Sequence, residues 1–162
     1  PPGKGRRHVL RIVREILFFE PKTKGTNLRK ALQTVGNVVH RRSIVFVLSD
    51  FQAENYQTAL GSIARRHDVV AMPLTDPREE TLPNMGTVRL QDAETGELME
   101  VATGRASVRE AYAEAVRERG VKLRAIFKKN RLDVVNLRTD TDWVPALSTF
   151  FRTREHRLGG RL

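Results

Sequence analysis

Apolar positions recur at helical spacing through Val9, Ile12, Val13, Ile16 and Leu17, while Arg7, Arg11 and Arg14 fall largely on the opposite side. This pattern predicts an amphipathic helix ending near Pro21. Beyond the polar segment Lys22 to Asn27, the repeat Leu28, Ala31, Leu32, Val35, Val38 and Val39 predicts a second helix up to Arg41 and Arg42. The pattern then changes. Ile44 to Leu48 is a continuous β-branched and aromatic run, the signature of a strand apolar on both faces, as in a parallel sheet covered by helices on both sides.

Residues 53–66 return to helical spacing through Tyr56, Leu60, Ile63 and Ala64, and "DVVAMPL" (68–74) is the next short strand. Strand, helix and strand in alternation make the expected class α/β, a Rossmann-like, doubly wound, mostly parallel sheet. Residues 87–101, "TVRLQDAETGELMEV", break the rhythm with two short runs about Ala93-Glu94-Thr95-Gly96 and predict an inserted surface β-hairpin. A helix is expected over 105–130, with a kink or break at Gly120, which is about 1 kcal/mol less favourable than alanine there. "LDVVNLRTD" (132–140) reads as a third strand and Trp143 to Arg154 as a closing helix, followed by a flexible tail over 155–162.

Length and composition narrow the classes. With 162 residues, 40% of them hydrophobic, the chain fits one domain, here 1–154. It has no cysteine, and its four histidines lack ligand-like spacing, which argues against a disulfide framework or a transition-metal site. No apolar run approaches the ~20 residues of a membrane-spanning helix, and the expected location is cytoplasmic, with any anchor upstream of a chain that starts Pro1-Pro2-Gly3. The net charge of +10 is uneven: residues 1–42 hold eleven Lys and Arg against two Glu, while 76–100 hold seven Asp and Glu against Arg78 and Arg89. Such blocks are either solvated faces or docking surfaces.

Three predicted strands end in a carboxylate, at Ser49-Asp50, Thr75-Asp76-Pro77 and Thr139-Asp140. In a parallel sheet these ends share the edge at which ligands bind. Thr26, just before a predicted helix, is expected at the same edge. Thr26 with Asp50 suits a hard cation such as magnesium, but Ser, Thr and Asp also serve as helix caps, and both readings stand on the pattern alone.

"GTNLRKAL", "SIVFVLSDF", "ARRHDVVAMPLTDPREETLPNMGTVRLQDAETGE" and "LRTDTDWVPALSTFFRTR", in that order, resemble the later part of the bacterial domain-of-unknown-function family fifty-eight. That resemblance implies a von Willebrand factor A-like domain truncated at its amino end. It implies a magnesium-dependent adhesion site in which Thr26 matches the family's threonine and Asp50 its aspartate. The main ligand loop, Asp-x-Ser-x-Ser, occurs nowhere in these residues, so this stretch is expected to bind magnesium weakly or not at all. The resemblance also places the missing first strand against Ile44 to Leu48, which predicts a bare edge and a homo-oligomer.

The function implied is a non-enzymatic protein-interaction module, with a MoxR-type AAA+ ATPase as partner in complex assembly or maturation. Asp76, Glu94 and Glu97, in the acidic stretch, are the expected partner-binding residues. Nucleic-acid binding through the basic helices is the alternative, supported by net charge but by no base-reading motif. Catalysis has weaker support: "PPGKG" lacks P-loop spacing, and no positioned acid and base can be picked out.

Overall fold

The computed structural model describes residues 3–20, 25–91 and 96–159. Helix α1, Arg6–Leu17, carries its apolar stripe without burying any residue. Helix α2, Leu28–Val38, starts at Asn27, whose side chain accepts the Lys30 N–H at 2.8 Å, so the cap is Asn27 and not Thr26. Strand β1, Ile44–Ser49, leads through helix α3, Gln57–Arg66, into strand β2, Asp68–Thr75, which pairs with β1 in parallel from Ile44↔Asp68 to Ser49↔Pro73.

After a 3-10 turn at Pro77–Glu79 come strands β3, Thr87–Gln91, and β4, Leu98–Ala102. Among the described residues they pair only with each other, as an antiparallel hairpin, as the sequence predicts. Helix α4, Ala106–Lys129, runs unbroken through Gly120. It does not divide into two helices at the glycine: Leu123, Ile126 and Phe127, just beyond it, pack against the core and outweigh a local preference of about 1 kcal/mol.

The third predicted strand forms two short pieces, β5, Asp133–Val134, and β6, Leu137–Arg138, both parallel to β2. Their register on β2 is continuous, Val70↔Asp133 and Ala71↔Val134, then Leu74↔Leu137 and Thr75↔Arg138. The gap falls opposite Pro73, which has no N–H to donate to the ladder. Helix α5, Val144–Gly159, continues past Arg154, so the expected tail is helical as far as Gly159, and 160–162 lie outside the described residues.

The result is an α/β fold with β2 at the centre of a parallel sheet, β1 on one side and β5 and β6 on the other. One face packs Val47, Val69 and Ala71 against Leu28 and Leu32 of α2, Leu60 and Ile63 of α3, and Phe127 of α4. Close helix approach explains Gly61, where an added Cβ would lie 2.7 Å from Asn130 Oδ1. The second face is smaller: Val70, Met72, Val135 and Leu137 meet Ala146, Leu147 and Phe150 of α5. Among the described residues, no helix is long and apolar enough to cross a membrane.

Candidate functional site

The carboxyl edge of the sheet gathers the predicted carboxylates, because β1, β2 and β6 are parallel and Asp50, Asp76 and Asp140 follow them closely. Thr26 belongs to the same edge by the path of the chain. Arg66, at the end of α3, donates to Gly36 O at 2.7 Å near the end of α2, so the two helices lie with their carboxyl ends together and their amino ends toward that edge.

Asp50 sits in a tight turn. Its Oδ1 accepts the Gln52 N–H at 3.1 Å and the Ser49 hydroxyl at 3.4 Å, while Ser49 Oγ accepts the Phe51 N–H at 3.0 Å. Phe51 has φ 56, a left-handed conformation unusual for a bulky side chain. Its ring explains the tolerance, being buried with centroids 5.0 Å from Phe127 and 5.7 Å from Tyr56. The core thus fixes the turn that presents Asp50. Burial of Tyr56 also pushes its phenol above the usual tyrosine range.

The next residue ties three elements together. Gln52 Nε2 donates to Glu79 Oε2 at 3.3 Å, and its Oε1 accepts from Arg119 Nη1 of α4 at 3.1 Å. Tyr112, also on α4, donates its hydroxyl to Glu79 O at 2.7 Å. Between these anchors lies an open cleft of ≈ 1080 Å³, lined by Asp50, Glu54 and Gln57 on one wall and Val116, Arg119 and Arg124 on the other. The sequence reading missed Gln52, Tyr112 and Arg119, since nothing in their local pattern marks a bond spanning up to 67 positions.

Asp76 accepts the Arg78 N–H at 2.9 Å and caps the 3-10 turn. Asp140 is no cap: Arg138 binds both its oxygens, at 3.0 and 3.3 Å, and this guanidinium holds its carboxyl below the usual range. Arg138 also reaches Glu80 at 3.0 Å, joining β6 to the segment after β2. Asp142 takes the capping role, accepting the Val144 N–H at 2.9 Å.

Thr26 and Asp50 bring two oxygen donors of the kind a hard cation takes to this edge. One oxygen of Asp50 is engaged in its own turn, Thr26 adds a single hydroxyl, and the described residues contain no group of three or more His, Asp or Glu able to hold a metal. Magnesium favours six oxygen ligands and surrenders water reluctantly.

The hairpin is a separate surface. Its base is strapped by buried Thr103, whose hydroxyl donates to Gly86 O at 2.9 Å and accepts the Met85 N–H at 3.1 Å. Gly104 N–H also donates to Gly86 O at 2.8 Å, and an added Cβ at Gly104 would stand 3.3 Å from Gly86 Cα. Above this strap Leu90, Leu98 and Met99 are exposed, and Arg89 pairs with Glu100 at 3.1 Å. Glu97 is exposed beside β4, whereas Glu94 lies outside the described residues.

Comparisons with known proteins locate the chain. It is 33% identical to the uncharacterized protein MAV169 of Mycobacterium avium, over 99% of this chain and 97% of that one. It is 31% identical to the uncharacterized proteins Mb1516 of Mycobacterium bovis and Rv1480 of Mycobacterium tuberculosis, over 95% of this chain but only 49% of theirs. The chain therefore spans nearly all of one relative and about half the length of the others. No solved structure matches it. The profile described as "Protein of unknown function DUF58" matches residues 1–122, and the chain belongs to that family.

Proposed function

We propose that the protein is a non-enzymatic protein-interaction module, presenting the hairpin and the carboxyl edge of the sheet to a protein partner. The observation that carries this reading is the hairpin. A pair of strands strapped at its base by Thr103 and Gly86, with apolar and charged side chains exposed above, holds a recognition surface at little ordering cost. Asp76 at the sheet edge and Glu94 and Glu97 on the hairpin are the acidic partner-binding residues in this reading.

The resemblance to von Willebrand factor A-like domains adds a finer proposal. In a longer protein, Thr26 and Asp50 would join ligands from elsewhere to hold magnesium, and a MoxR-type AAA+ ATPase would be the partner. The bound ion would supply an open coordination position for a partner's carboxylate. This chain's own part is the Ser49–Gln52 turn, which fixes the direction of Asp50. The alternative, nucleic-acid binding through the basic amino-terminal helices and the Arg117 to Arg131 stretch, is weaker because no base-reading motif accompanies the charge.

Co-purification with such an ATPase, with and without magnesium, tests the proposal. Capture is expected, with a drop of about tenfold in affinity for Glu97→Lys if that residue makes a charged interface contact. Failure to bind in both conditions, or DNA binding that falls steeply with salt, would reject it.

A further inference from the structure

The cleft beside Asp50 has a chemistry that neither the hairpin nor a metal accounts for. Its walls come from residues 50–57, 74–81 and 112–126, so it is built by the turn after β1, the segment after β2 and helix α4. Phe51 and Tyr56, with half-buried Leu123 and Ile126, give it an apolar lining.

Tyr56 sets the first requirement. Only 2% of it is exposed, yet its hydroxyl has no hydrogen-bond partner among the described residues. Among those residues the His67 ring nitrogens are the unpaired side-chain atoms that are fully enclosed, so the Tyr56 hydroxyl reaches open space, and the surface that Tyr56 lines is this cleft. It is a donor without an acceptor. Beside it α3 opens at Gln57 with no side-chain cap and no acidic residue in its first turn, so its leading N–H groups also lack a side-chain acceptor.

Helix α4 supplies a cation. Arg117 and Lys122 pair with Glu114 and Glu118 on the helix itself, and Arg119 holds Gln52, whereas Arg124 has no hydrogen-bond or ion-pair partner among the described residues. Its guanidinium lies over Gly120, where an added Cβ would stand 3.3 Å from Nη1. Glycine within a helix costs about 1 kcal/mol relative to alanine, and here it keeps open the space that the guanidinium occupies at the cleft wall.

The facing residues select the class of ligand. Asp50, Glu54 and Glu79 line the cleft too, so a polyanion such as nucleic acid would meet three carboxylates. A peptide carrying both signs can turn its acid to α4 and its base to the loop.

We propose that this cleft takes an extended segment of a partner protein in which an acidic, an apolar and a basic residue lie close together. The carboxylate is received by Arg124 and the Tyr56 hydroxyl, the apolar side chain by Phe51, Leu123 and Ile126, and the cation by Glu54. This site rests on the function proposed above only in that its occupant is a protein, and it uses neither the hairpin nor magnesium.

Fluorescence anisotropy of the 162-residue chain with short labelled peptides is the test. It is run without ATPase or magnesium, so that failure here and failure of the co-purification are separate results. The peptides carry Glu, Lys and either Leu or Phe in every order, beside all-Glu, all-Lys and Ser-only versions. Saturable binding is expected for the mixed-charge peptides and should fall roughly tenfold for Arg124→Gln. Tyr56→Phe should weaken it several-fold without loss of stability in urea, because no internal hydrogen bond is removed. Gly120→Ala should raise the urea midpoint while weakening binding. No saturable binding across the set overturns the proposal, as does binding indifferent to Arg124→Gln and Tyr56→Phe. An all-Glu peptide or a single-stranded oligonucleotide that binds as tightly as the mixed-charge peptides would overturn it too.

Discussion

His67 closes α3 with its backbone, donating its N–H to Ile63 O at 2.8 Å, yet its ring is only 3% exposed and neither ring nitrogen finds a hydrogen-bond partner among the described residues. A buried polar group left unpaired costs about 1–3 kcal/mol. Replacing it with leucine removes that debt and keeps an apolar side chain in the space, so His67→Leu is expected to stabilise the fold by about 1 kcal/mol in urea denaturation. A loss of stability instead would mean that ordered water satisfies the ring. At this scale the sequence was informative where chemistry is local. Asp50 and Asp76 stand out because a carboxylate follows an apolar run, and each does accept a backbone N–H two residues on. Gln52 is silent in the sequence because its value lies in joining Glu79 to Arg119, residues brought together only by the fold.

Among the elements, α5 depends on one cation. Arg154, 17% exposed, pairs with Asp133 at 3.1 Å and with Asp68, and its guanidinium lies 5.7 Å from the Phe150 ring centroid. Those aspartates open β5 and β2, so the arginine fastens the helix to the amino edge of two strands. Removing one partner of a fully buried pair costs about 3–5 kcal/mol, and with both carboxylates about one-third exposed a smaller loss of about 2 kcal/mol is expected for Arg154→Ala. Arg154→Lys should recover only part of it, since an ammonium cannot hold two carboxylates in a planar fork. Urea denaturation would decide, and a loss below about 0.5 kcal/mol would reduce the cluster to an ordinary surface pair. The helices and strands themselves were largely legible from periodicity. The errors were at boundaries: α5 outlasts its apolar stripe by propagating through Glu155 and His156, and the last strand divides because Pro73 sits on the neighbouring one.

On the scale of the whole molecule, the alternation of strand and helix carried the α/β class, and the turn residues carried the hairpin, because both follow from local periods. The cleft was not legible, because it required α4 to bring Tyr112 to Glu79 and Arg119 to Gln52. The central position of β2 has one more consequence. It pairs with β1, which precedes the hairpin, and with β5 and β6, which follow it, while Phe127 from the second half is buried beside Phe51 from the first. Chain continuity across the hairpin tip is therefore expected to be dispensable for holding the halves together. A protease site placed at 92–95 and cut after folding should give a nicked protein that elutes as one species under native conditions and falls into two peptides only in denaturant. If the pieces part without denaturant, the strand pairing across β2 is too weak to hold them. If they stay together, the gene can be divided at the hairpin and the halves expressed apart, a two-piece protein that assembles only when both are present.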